Sequence, residues 1–243
     1  MAPVTVVTGG SRGIGAATCV RLARDGHRVA IGYRSNAHAA EKVADDVRAA
    51  GSQAVTVRAD TVSEDDVIAL FGAAAQRLGP VTGLVNNAGI ASALGRLADL
   101  DSAELRRVMD VNVIGAFLCA RQAARVMTAG GAIVNVSSTA ATLGSPGNYI
   151  HYAASKAAVD ALTLGLAKEL ATDGIRVNGV APGFVHTEIH EQTGDPDRAA
   201  NVVSRIPVGR LGTPDEIAEA IAWLLSPAAS YTTGTTLRVA GGL

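Results

Sequence analysis

Tyr152-Ala153-Ala154-Ser155-Lys156 sets a phenol and an ammonium four residues apart, at the start of an Ala/Leu-rich stretch. On a helix that spacing puts both side chains on one face, so the two groups share a pocket. A phenol can give or take a proton, but its reference pKa is about 10, and drawing it ~3 units toward neutrality takes ~4 kcal/mol of preference for phenolate. A nearby ammonium supplies part of that preference. Alone, a Tyr/Lys pair at this interval is an ordinary surface pair, so the reading depends on what surrounds it.

A second chemical element stands at the amino end. An apolar β-run leads straight into Thr8-Gly9-Gly10-Ser11-Arg12-Gly13-Ile14-Gly15, and a helical pattern follows. Glycines there let the chain turn tightly and bring backbone N–H groups up to a pyrophosphate, while the helix N-terminus adds its partial positive charge. The end of the second strand then bears on which dinucleotide is bound. An acid at that place takes the ribose 2′-OH of NAD, but this chain reads Gly32-Tyr33-Arg34-Ser35. Arg34, with Arg12 of the first turn, would hold a 2′-phosphate that a carboxylate would repel. NADP(H) is therefore expected over NAD(H).

The elements that must position these groups alternate from end to end. Val4–Thr8, Arg28–Gly32, Gln53–Arg58, Val81–Asn86, Ala132–Ser137, Arg176–Ala181 and Thr235–Val239 read as strands. Ala37–Ala50, Asp65–Leu78, Ala103–Thr128 and Tyr152–Thr172 carry Ala and Leu at helical spacing. Gly26 and Gly51 follow helix ends as C′ glycines, and Thr213-Pro214-Asp215-Glu216 opens a late helix with an N-cap and Pro at N1. Strands alternating with helices predict a Rossmann-type, doubly wound, seven-stranded parallel sheet flanked by helices. With no linker or repeat to divide it, residues 1–243 read as one domain. The polar, poorly periodic stretch from about Thr187 to Pro207 is expected to be a substrate lid.

Composition narrows the function classes. Hydrophobic residues make up 48% of the 243 and aromatics 3%, so the apolar content is Ala, Val, Ile and Leu, suited to buried parallel strands. A net charge of −1 with no basic run argues against nucleic acid as a partner. No apolar run reaches the ~18 residues of a membrane span, and the opening MAPVTVVTGG lacks the features of a secretory signal. Cys19 and Cys119 lie in apolar helical stretches and read as inert thiols. A cytoplasmic protein is expected. His186-Thr187-Glu188-Ile189-His190 has its Glu misplaced for a zinc helix, so no metal is expected.

Thr8–Gly15, Asn86-Asn87-Ala88-Gly89, Asn112, Asn135-Val136-Ser137-Ser138, Tyr152–Lys156 and Pro182-Gly183 occur in order along one chain. This set resembles the short-chain dehydrogenase/reductase family from the first strand to Gly241-Gly242. It is most similar to the short tetrameric members, 3-oxoacyl-carrier-protein reductases and glucose dehydrogenase-like enzymes. The resemblance implies that Tyr152 is the general acid in reduction and base in oxidation. It also implies that Lys156 holds the nicotinamide ribose and lowers the tyrosine's pKa. Ser138 would bond the substrate oxygen, and Asn112 would position a water linking Lys156 to solvent.

The cofactor cleft implied by the resemblance takes in Gly9, Ser11, Arg12, Gly13, Ile14, Gly15, Arg34, Ser35, Asp60 and Thr61. It continues through Asn86, Ala88, Gly89, Tyr152, Lys156, Pro182, Gly183, Val185 and Thr187. The implied activity is hydride transfer between NADP(H) and a small carbonyl or alcohol, in a homotetramer packed partly through Thr232–Leu243. Trp223 and Tyr231 read as packing or subunit contacts.

One departure bears on the chemistry. The stretch from Ser138 to Tyr152 is one residue longer than in the commonest members. If the extra residue sits in the Gly/Pro-containing loop, Ser138 keeps its role; a register shift would present Thr139 instead. Tyr149 and His151 in this loop read either as substrate-facing or as plain loop residues. Two rival functions remain: an NAD(H)-dependent sugar or alcohol dehydrogenase, and a non-catalytic dinucleotide sensor. Arg121 and Arg125, at i,i+4, are candidates for part of an acyl-carrier-protein docking patch.

Overall fold

Short runs of β-branched and other apolar residues form the strands because both faces of a parallel sheet are covered by helices. They are β1 (Val4–Val7), β2 (Arg28–Tyr33), β3 (Ala54–Arg58), β4 (Gly83–Asn86), β5 (Ala132–Val136), β6 (Arg176–Pro182) and β7 (Thr236–Val239). All pair parallel, in the order β3-β2-β1-β4-β5-β6-β7. The computed structural model describes residues 2–92, 94–187 and 202–243. Most of the expected lid, residues 188–201, lies outside the described residues.

Helices α1 (Gly13–Arg24), α2 (Ala37–Ala49) and α8 (Pro214–Leu225) supply Leu22, Val43, Ile217 and Ile221 to one face of the sheet. Helices α3 (Glu64–Leu78), α5 (Gly115–Val126) and α7 (Ile150–Leu170) supply Leu70, Phe71, Cys119 and Ala167 to the other. The helix ends follow their sequence signals. Gly26 and Gly51 adopt φ of 84° and 88° past α1 and α2. Thr213 and Glu216 form a reciprocal capping box at α8. Among the described residues no helix is long and apolar enough to cross a membrane.

Chain order reverses between β1 and β4, opening a crevice at the carboxyl ends of the strands where such sheets bind ligands. The single helix expected over Ala103–Thr128 is instead two, α4 (Ser102–Met109) and α5, joined by a π-helical turn at Asp110–Ile114. The wider turn carries Asn112, whose side chain is held by a loop 22 residues away. Tertiary bonding of this kind breaks a helix whose local periodicity is uninterrupted. Helix α7 begins at Ile150, two residues before Tyr152, and closes through a 3-10 turn at Ala171–Asp173.

Candidate active site

The turn after β1 is built by leaving side chains out. Gly9 and Gly13 sit at φ of 62° and 52°, backbone that L side chains rarely adopt. A Cβ on Gly15 would stand 2.3 Å from the Gly9 carbonyl oxygen and 2.6 Å from Asn87 Nδ2. Asn87 braces this turn: its Nδ2 donates to the carbonyls of Thr8 and Gly9, at 3.0 and 3.1 Å. Thr8 Oγ1 in turn accepts the N–H groups of Asn87 and Ala88. With these carbonyls engaged and no acid in the first turn of α1, the helix N-terminus is left to an anion. Across the crevice Thr187 approaches Gly13, where a Cβ would lie 3.4 Å from Thr187 Cγ2. Val185 forms a bridge with Gly212, and Gly183 fits against Ala240 where a side chain would collide.

The residues expected around the adenosine fall into two groups. Arg34 and Ser35 are exposed beyond β2, and Arg12 is exposed in the first turn. Asp60 is half-buried after β3, its Oδ1 accepting the Val62 N–H. Thr61 and Asn86 instead point inward. Thr61 packs on Gly115, where a Cβ would meet its Oγ1 at 2.7 Å. Asn86 Nδ2 donates to Ala116 O and Asn135 Oδ1, so its amide ties β4 to α5 and β5 rather than facing the crevice. A buried amide must find partners, and Asn86 finds them in the interior.

The catalytic candidates converge where β5 and α7 meet. Tyr152 is half-buried and lines the cavity together with Ser138, whose hydroxyl acts on its phenol. Ser138 Oγ accepts the Ala140 N–H at 3.1 Å. Strand β5 keeps register with β6 through Val136, and beyond α6 (Ala140–Leu143) Gly144, Ser145 and Gly147 all have positive φ. Thr139 donates its N–H to Pro182 O and accepts from Thr142 Oγ1 at its own carbonyl.

Lys156 is 5% exposed, and its Nζ donates to Val136 O at 2.9 Å and lies 5.8 Å from the centre of the Tyr152 ring. A Cβ on Gly89 would stand 3.3 Å from both Lys156 Nζ and Asn112 Oδ1, so glycine keeps that approach to the ammonium clear. Asn112 exchanges two hydrogen bonds with the Ile90 backbone and donates to Ser155 Oγ at 3.0 Å. Ser155 Oγ donates to Tyr152 O at 2.7 Å, so Asn112 is linked to the backbone that carries the phenol.

Electrostatics follow from burial. Burial pushes the Tyr152 phenol above its ordinary range, Tyr149 adds to the push, and the Ser138 hydrogen bond opposes it. Burial lowers the Lys156 ammonium to about 8 against the pull of Asp160. The lysine is thus charged at neutral pH, and the tyrosine holds its proton.

Several residues enter that the motifs alone did not assign. Tyr149 lines the cavity edge-on to Tyr152, with ring centres 5.0 Å apart, whereas His151 turns away and bonds Ser92 Oγ at 2.5 Å. Asn87 was visible within its motif, but its bracing role appears only once the turn's carbonyls need a donor. Ser155 was visible inside the Tyr–Lys interval. Arg205, Phe184 and Val202, which also line the cavity, carry no local signal. Arg121 and Arg125 both pair with Glu64.

Known proteins are similar to this chain over nearly its whole length. A family model described as enoyl-(acyl carrier protein) reductase matches residues 9–243. The uncharacterized oxidoreductase YgfF of Escherichia coli K12 is 49% identical over 98% of this chain and 99% of its own. A cis-4-hydroxycyclohexanecarboxylate dehydrogenase of Sinomonas cyclohexanicum is 46% identical, covering 98% and 95%. A short-chain dehydrogenase from Burkholderia cenocepacia J2315, solved in complex with NADP, superposes with a TM-score of 0.93 at 37% identity, covering 99% and 97%. With sheet order, glycine turn and matched length in agreement, the chain belongs to the short-chain dehydrogenase/reductase family of oxidoreductases.

Proposed function

We propose that this chain is an NADP(H)-dependent enzyme that reduces a small ketone to an alcohol, with Tyr152 as the proton donor. The observation that carries the reading is the convergence of Ser138, Tyr152 and Lys156 on one cavity, with Asn112 tied behind them. The glycine turn and the space at Gly89 fit a nicotinamide dinucleotide, held by the N–H groups of Gly9–Gly15 and by Lys156. Bound there, the dinucleotide supplies the hydride. Ser138 donates its hydroxyl proton to the substrate oxygen and orients it. Tyr152 gives that oxygen its proton as charge develops, and the Lys156 ammonium stabilises the phenolate left behind. Tyr152, its phenol pushed up by burial, keeps its proton at neutral pH, as the donor in a reduction must.

Preference for NADP(H) rests on Arg34 and on the lack of an acid beside it. Arg58, whose Nε donates to Arg34 O at 3.3 Å, adds a further guanidinium to the same corner. The solved relative that carries NADP supports this choice. A second reading, an alcohol dehydrogenase working toward the ketone with NAD(H), is favoured by the name of the Sinomonas relative. An acyl-carrier-protein partner is less supported, because Arg121 and Arg125 share Glu64, which offsets one of their two charges.

Exposed Ile114, Phe117, Leu164, Trp223 and Tyr231 support the homotetramer, which light scattering of the purified chain would test. A cytoplasmic location is supported by two buried, unpaired cysteines. The function itself is tested by titrating NADPH and NADH by fluorescence and then following NADPH consumption on a carbonyl panel that includes acetoacetyl thioesters. Tight NADPH binding with turnover is expected. Binding without turnover on any carbonyl would instead favour a dinucleotide sensor, and preference for NADH would favour the alcohol dehydrogenase.

A further inference from the structure

The cavity beside Tyr152 is about 270 Å³. That is at the small end for ligand sites, and residues of the cofactor side, Ile14, Asn87 and Thr187, share its lining. The room left for a substrate among the described residues suits a compact one. The substrate end is walled by Leu143, Tyr149, Phe184 and Val202, all apolar or aromatic.

At the edge of this wall stands one further cation, Arg205, a lining residue that remains exposed. Lys156 and Arg205 are the charged side chains among the described lining residues, and no acidic side chain among those residues joins them, although Leu243, the last residue, also lines the cavity. The Lys156 ammonium is committed to Val136 O and to the chemistry. Arg205 follows the buried Val202 in the turn that leads to Ile206, its N–H bonded to Val202 O. None of the side-chain hydrogen bonds or ion pairs among the described residues engages its guanidinium. A guanidinium beside apolar walls is a poor way to complete a site for a neutral ketone. It is a good way to hold a carboxylate, which it can bind in two parallel hydrogen bonds.

We infer that Arg205 binds a carboxylate of the substrate, so that the enzyme acts on a compact oxo acid and its hydroxy-acid product. The inference rests on the carbonyl-reductase reading and narrows it. With the carboxylate on Arg205 and the ketone oxygen between Ser138 and Tyr152, the two anchors fix the substrate at both ends. The apolar wall then covers the short carbon frame between them. The reaction balances as before: the dinucleotide's hydride goes to the carbonyl carbon, Tyr152 protonates the oxygen, and the carboxylate takes no part in bond making.

The test compares charged and neutral forms of one frame. NADPH-dependent kcat and KM are measured for a set of short oxo acids, such as 3-oxocyclopentanecarboxylate, and for their carboxamides, with wild type, Arg205→Gln and Arg205→Lys. Calorimetry follows binding of the matching hydroxy acids, with and without NADP⁺. Wild type should favour acids over amides by about 10- to 100-fold in kcat/KM, mostly through KM. Arg205→Gln should bring that ratio toward one, and Arg205→Lys should restore part of it.

Turnover of acids and amides with equal kcat/KM would sink the carboxylate inference while leaving the reductase reading intact. An equal loss for both forms in Arg205→Gln, or a matching loss of NADPH affinity, would also overturn it by making the arginine structural or a cofactor ligand. Arg205-dependent binding of hydroxy acids with no carbonyl turned over would keep the anion site and remove the reductase reading.

Discussion

The two ends of the active crevice are made by opposite means. The dinucleotide turn depends on missing atoms: at Gly15 a single added carbon would fall 2.3 Å from a backbone oxygen. The catalytic end depends on polar atoms that are present and buried. Asn112, Asn135, Ser137, Ser155, Lys156 and Thr163 are all largely buried, and all make hydrogen bonds within the protein. Close backbone approach is what the first end needs, and a fixed set of donors is what the second needs. One end should therefore fail when an atom is added, the other when an atom is removed.

The largest effect is expected from removing one oxygen. Tyr152→Phe keeps the ring and its edge contact with Tyr149 but deletes the proposed proton donor. Turnover should fall by about 10²- to 10⁴-fold, the usual range for losing a general acid. NADPH affinity by fluorescence titration should stay within a few-fold. Undiminished turnover would remove Tyr152 from its assigned role.

Adding one carbon at the other end comes next. Gly15→Ala meets backbone oxygen and the bracing Asn87 amide, neither of which can swing aside as a flexible side chain would. Overpacking of this kind costs about 1–3 kcal/mol. We expect NADPH affinity to drop by roughly 10- to 100-fold, since each 1.4 kcal/mol is tenfold. A variant that binds NADPH like wild type would show that the turn is not the cofactor's cradle.

A milder change is made with pH alone. Burial lowers Lys156 to about 8, so the ammonium proposed to stabilise the phenolate is present at pH 7 and lost as pH rises through 8. Reductive kcat/KM should be flat below pH 8 and fall by up to about tenfold over the next unit, as one proton is lost. The lysine's contribution to stability moves the other way. Unfolded, it holds its proton to about 10.4, so between these values the unfolded chain binds more protons and stability rises with pH. Activity falling at high pH while thermal stability holds or rises would mark the lysine; loss of both together would mean unfolding.

How much of this was legible follows the same division. The glycine turn, the C′ glycines at 26 and 51, and the capping box at Thr213 are local devices, and local sequence reports them. The Tyr–Lys face is legible for the same reason. The catalytic end relies on partners distant in the chain, which periodicity does not register. Asn112 is held by Ile90, and that bonding turns an unbroken Ala103–Thr128 pattern into two helices around a π turn. Asn86 reads as a cleft residue in its motif, yet its amide is spent on Ala116 and Asn135. Arg205 stands outside every motif, and only the cavity brings it to the others.

The smallest effect sharpens the contrast by making the same substitution where nothing opposes it. Gly72 lies in the middle of α3, exposed, with nothing within 4 Å of an added Cβ and no positive φ. Glycine inside a helix is less favourable than alanine by up to about 1 kcal/mol, because the unfolded chain has more freedom to lose. Gly72→Ala should therefore raise stability in denaturant by that order and leave NADPH affinity and kcat where they were. A glycine-to-alanine change is thus expected to stabilise at residue 72 and to disable the turn at residue 15. If both were neutral, the turn at Gly15 would have slack that its geometry denies. If Gly72→Ala destabilised the fold, the outer face of α3 would be covered by something other than solvent, and a subunit contact there would be the first place to look.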